Sequence, residues 1–66
     1  MVSIILNGEE RNVEAQSIAE LLSALNLTDK KIAVERNQQI VTRTNFMLEP
    51  LTDGDRIEII HFVGGG

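Results

Sequence analysis

Ile57-Glu58-Ile59-Ile60-His61-Phe62-Val63 runs directly into Gly64-Gly65-Gly66. The first seven residues are mostly β-branched or aromatic and carry one charged side chain, which reads as a strand. The three glycines have no side chain to pack and can enter a narrow channel or take backbone angles closed to other residues. A strand this apolar needs neighbours on both edges, and working backwards along the chain finds them. Val2, Ile4 and Leu6 alternate with Ser3, Ile5 and Asn7, the period of a strand with one buried face. Asn7-Gly8 supplies a tight turn, and Arg11 to Glu14 returns as a second, more polar strand. Asp53-Gly54-Asp55 forms the turn that leads into the final strand.

Between these two ends lies the covering layer. Ser17 begins a helix, and Glu20 three positions later completes a capping box. Ile18, Leu21, Leu22 and Leu25 form one apolar stripe, and the helix fades near Asn26. Ile32 to Val34 is a short strand, Asn37-Gln38 its turn, and Gln39 to Val41 the return strand. Arg43 to Leu51 is irregular, with Phe46, Met47 and Leu48 expected to plug the base of the core, and Pro50 argues against a helix there. The expected fold class is α+β: a small mixed sheet with one helix across one face, the ubiquitin-like β-grasp. The first and last strands are then parallel neighbours at the sheet centre. Residues 1–63 make the domain, and residues 64–66 project as a glycine tail.

Strand phase yields a candidate docking face. Glu58 is expected to face water, so Ile60 and Phe62 share its side while Ile57 and Ile59 point inward. Ser3 and Asn7 mark the same outer face on the first strand, which places Ile5 there. Ile5, Ile60 and Phe62, continued by Val63, are expected to form an exposed apolar docking patch, because contiguous exposed apolar area marks interaction sites. His61 falls on the inner register near the strand end, where packing or partner contact is expected rather than proton transfer, and no catalytic role is assigned to it.

Composition narrows the chemistry. The chain has 66 residues, a formal charge of −4, one histidine and no cysteine. One small core must therefore hold the fold without disulfides or a thiolate metal site. No second histidine or cysteine stands ready to share a metal with His61, so no metal is assigned, and no nucleophilic triad is available. An autonomous enzyme is not expected. The negative charge disfavours nucleic acid and anionic membranes and favours basic protein surfaces. Met1 to Leu6 lacks the basic lead and length of a signal peptide, and no stretch reaches membrane-span length, so a cytoplasmic location and a monomeric free state are expected.

The carboxylate of Gly66 is the reactive group on this reading. With a reference pKa of roughly 3.5 it is ionised at neutral pH and a poor electrophile. Adenylation with ATP supplies a leaving group that a sulfur nucleophile can displace to give a thiocarboxylate. Val63 to Gly66, fully extended, reach about 13 Å, enough for the tail to thread into an active site while the globular face docks outside.

The whole chain resembles the ThiS family of thiamine-biosynthesis sulfur carriers. The resemblance runs through the Asn7-Gly8 turn, Ala19-Glu20-Leu21-Leu22, Ala33-Val34-Glu35-Arg36-Asn37, Ile40, Val41 and Arg43. It continues through Asp53-Gly54-Asp55, Ile57-Glu58-Ile59-Ile60 and Val63-Gly64-Gly65-Gly66. It implies that a ThiF-type enzyme adenylates Gly66, consuming ATP with no cofactor held by the carrier. Sulfur then arrives from a donor system such as a cysteine desulfurase, and the thiazole synthase ThiG accepts it. Gly64 and Gly65 are the threading residues. Thr42 stands where members often have proline, and Gln38 where they often have glycine, departures that touch loop geometry rather than chemistry. The Gly65-Gly66 pair is also shared with molybdopterin sulfur carriers and ubiquitin-type modifiers. A carrier serving another sulfur-containing metabolite, a protein modifier, and an interaction domain with an inert tail are therefore the rival readings.

Overall fold

The computed structural model describes residues 1–27 and 31–61. β1 (Val2–Leu6), β2 (Glu9–Val13), α1 (Ile18–Ala24), β3 (Ile32–Arg36), β4 (Gln39–Val41) and β5 (Arg56–His61) follow in that order, with a 3-10 turn at Arg43–Asn45. The five strands form one sheet in the order β2-β1-β5-β3-β4. β1 and β5 are parallel, and the other pairings are antiparallel. This is the β-grasp expected from the strand pattern.

Both hairpins use turns with two successive positive φ angles, the type whose twist matches that of paired strands. Asn7 and Gly8 take φ 49° and 86°, and Asn37 and Gln38 take 52° and 71°. The first turn is so tight that β2 begins at Glu9, two residues earlier than Arg11. β3 likewise runs on past Val34 to Arg36.

Ser17 caps α1, its hydroxyl accepting from Glu20 N–H at 3.2 Å. The return half of the capping box is shifted by one residue: Glu20 Oε1 accepts from Gln16 N–H, at 2.9 Å, rather than from the cap's own N–H. α1 lays Ile18, Leu21 and Leu22 on Ile4, Leu6, Val34, Ile32 and Ile57 of the sheet, with Val41, Phe46 and Leu51 closing the core. Leu25 is only partly buried. Phe46 plugs the core as expected, and its carbonyl accepts from Ala19 N–H at 2.9 Å, so this connection lies on the helix side. Met47 and Leu48 do not join it: they are 79% and 75% exposed. Backbone bonds from Leu48 and Glu49 N–H to the Asn45 carbonyl keep the chain turning through this stretch, and one apolar side chain of the three reaches the core.

Candidate functional site

β5 carries the base of the tail, and two asparagines hold it in place. Asn37 pins its start: Asn37 N–H donates to the Arg56 carbonyl at 2.8 Å, and Arg56 N–H donates to Asn37 Oδ1 at 3.0 Å. Asn7 pins its middle. Asn7 N–H donates to the Ile57 carbonyl at 2.9 Å, and Asn7 Oδ1 accepts from Ile59 N–H at 2.8 Å. Where β1 turns away into its hairpin, the side chain of Asn7 thus extends the β1–β5 pairing. On its other edge β5 pairs with β3 from Ile57, opposite Arg36, to His61, opposite Ile32.

Beneath the start of β5 lies a compact charged network. The Asp55 carboxylate, 6% exposed, accepts from Arg36 Nε at 3.1 Å, Thr52 N–H at 2.9 Å and Asn37 Nδ2 at 3.1 Å. Arg36 reaches on to Glu49 Oε1 at 3.0 Å. Burial by itself pushes the Asp55 carboxyl up, but the Thr52 and Asn37 hydrogen bonds and the Arg36 charge outweigh it and hold the group below its ordinary value. Burial pulls Arg36 down, yet Glu49 and Asp55 raise it overall, so it stays cationic. Asp53 is also committed to the fold, its Oδ1 accepting from Ser3 N–H at 2.9 Å. Gly54, at φ 88°, donates to the Ser3 carbonyl, which stitches the turn onto β1 and sets where β5 begins.

The strand phase is as read from the sequence over the described residues. Ile57 is buried and Ile59 partly so, while Glu58 and Ile60 face outward. His61 shares the inner parity but is exposed at the strand end. Ile5 is half-buried on the outer face. A single patch joining Ile5 to Ile60 is not formed. The register sets Ile5 beside Arg56 and Ile60 beside Ala33, four residues further along β5. At about 3.3 Å per residue that is a separation of roughly 13 Å along the strand, with Glu58 between them. Among the described residues, exposed large apolar side chains on this outer face are Ile60 and, across β3, Ile40 of β4, at 43% and 73% exposure. Ile40 was absent from the expected docking face. Its neighbours in a three-residue strand offer no phase of their own, and only the cross-strand register puts it there.

Phe62, Val63, Gly64, Gly65 and Gly66, the remaining expected site residues, lie outside the described residues. No helix among the described residues is long and apolar enough to cross a membrane.

Comparison with known proteins places this architecture. Residues 4–66 match the ThiS family. A sulfur carrier protein ThiS from Bacillus subtilis is 40% identical over 63 residues, covering 92% of this chain and 96% of that protein. A thiazole synthase from Paramagnetospirillum magneticum is 42% identical over 66 residues, covering 98% of this chain but 20% of that protein. The chain thus spans about a fifth of the thiazole synthase and nearly all of the Bacillus carrier. The crystal structure of a thiamine biosynthesis protein (ThiS) from Geobacter metallireducens superposes with a TM-score of 0.81 at 32% identity, covering 98% of this chain and all of that one.

Proposed function

The chain belongs to the ThiS family, and from that premise we propose that it is a sulfur carrier of thiamine biosynthesis whose Gly66 carboxylate becomes a thiocarboxylate. The observation that carries this reading is the match to the Bacillus subtilis carrier along almost the whole of both chains. The strand phase and the two asparagine clamps support it, because they give a rigid base to a tail that has no side chains of its own.

In the proposed reaction the Gly66 carboxylate attacks the α-phosphate of ATP on a ThiF-type enzyme, forming an acyl adenylate and releasing pyrophosphate. Sulfide then adds to the acyl carbon and AMP leaves, so the terminus is left as a thiocarboxylate. Where the donor is instead the persulfide of a cysteine desulfurase, AMP is displaced to give an acyl disulfide; a thiol then attacks its outer sulfur, releasing the thiocarboxylate and forming a disulfide with the donor. The carrier supplies position while the partners supply catalysis; residues 1–63 dock and residues 64–66 thread. Similarity to thiazole synthases favours a ThiG-type synthase as acceptor. The docking residues on this reading are Ile60 and, after it in the sequence, Phe62 and Val63; Ile5 shares the outer face but stands apart from Ile60.

The test is the intact mass of the chain after incubation with ATP, sulfide and a ThiF-type enzyme. Exchange of one oxygen for one sulfur, absent when Gly65 and Gly66 are removed, is the expected result. No change with an enzyme active on another carrier refutes the reading. Ile60→Asp, on a strand whose core contacts are made by its neighbours, is expected to leave the fold intact and slow adenylation at least about tenfold, as loss of a central apolar contact does at interfaces.

A further inference from the structure

On the outer face of the sheet Glu35 of β3 stands directly opposite Glu58 of β5. Cβ atoms so paired lie about 5 Å apart, and like charges in that position destabilise a sheet. Among the described residues neither carboxylate has a cation within ion-pair distance. Both line one cleft of about 120 Å³ with Ile5, Gly8, Gln38 and Arg56. Two carboxylates against one guanidinium leave that cleft net negative. Exposed apolar side chains flank it, Ile40 of β4 directly opposite Glu35 and Ile60 two residues further along β5 from Glu58. The pair is thus a local cost to the free domain, set between apolar anchors.

We propose that the Glu35–Glu58 pair receives a basic side chain of the adenylating enzyme, with Ile40 and Ile60 packing around it; this rests on the carrier reading above. Charge complementarity selects the occupant: a cation placed between the two carboxylates removes their repulsion and neutralises the cleft. Arginine is the better match, because its planar fork can donate to both carboxylates at once. Activation is an encounter between separate proteins, the situation in which complementary charge accelerates association and rejects wrong partners.

The experiment measures binding of the full chain to a ThiF-type adenylating enzyme by calorimetry at low and high salt, beside thermal melts of the free carrier. Glu35→Gln/Glu58→Gln is compared with Glu14→Gln, which changes the charge beside Leu21 and Leu25 on the helix side. The double variant is expected to bind about tenfold more weakly at low salt, with a flatter salt dependence. The control should stay within about twofold. The free double variant should melt about 2–5 °C higher, the relief of one cross-strand repulsion in a domain of this size. Unchanged affinity and salt dependence in the double variant, or a lower melting temperature, overturns the proposal while leaving the carrier reading intact. A native chain that neither binds nor is adenylated overturns both.

Discussion

The two ends of β5 are built on opposite rules. At its start, Asp55, Arg36, Asn37 and Thr52 exchange hydrogen bonds, and the described residues leave no buried side-chain polar atom without a partner. Further along, Glu35 and Glu58 face each other with no ion pair among the described residues, and Ile40 and Ile60 are exposed. One region holds the strand in register at the point where the sheet would otherwise be weakest, since β1 and β5 share only two paired positions. The other gives up local stability on the face beside the tail. Polar groups within the same small sheet can thus be assigned to folding or to recognition by whether their partners are already present.

The sharpest way to break the contrast is Asp55→Ala. It removes three hydrogen bonds and leaves the part-buried Arg36 with Glu49 as its remaining carboxylate partner among the described residues. A loss of about 3 kcal/mol is expected, measured by urea unfolding. Asn7→Ala should cost less, about 1–2 kcal/mol, for the lost bond to Ile59 N–H and because alanine tolerates φ 49° less well than asparagine. Its effect on hydrogen exchange should concentrate at Ile59, where the strand leaves β1.

Acid sharpens the comparison differently. Asp55 has a lowered pKa in the folded state, so its contribution is fully present above the unfolded value of about 3.9 and fades as pH falls through the lower folded value. Unfolding followed between pH 5 and 2 should steepen below about pH 4 in the native chain. Asp55→Asn should flatten that part of the profile. The smallest expected effect is a gain: Gln38→Gly relieves a side chain held at φ 71° and should stabilise the domain by about 0.5–1 kcal/mol, read from the melting temperature.

Much of this arrangement was legible before the fold. The Asn7-Gly8 and Asn37-Gln38 turns, the Ser17 cap and the alternation of β1 and β5 each depend on residues within a few positions of one another. The exposure of Met47 and Leu48 was not legible, because apolar character alone does not say which of three consecutive side chains a turning backbone aims inward. Asp55 looked like a turn residue and no more. Its partners Arg36 and Asn37 lie 19 and 18 positions away, and Asn7 is 52 positions from Ile59.

Local chemistry by itself determined the strands, the helix, their faces and the ThiS-like pattern, because period, capping and turn geometry act over short spans of chain. Tertiary structure alone decided the register: that Ile5 meets Arg56 rather than Ile60, and that two glutamates 23 positions apart in sequence stand opposite each other. Register is set where a whole face is buried at once and where the turn of Asp53 and Gly54 is stitched to Ser3, and neither condition exists until the chain has folded.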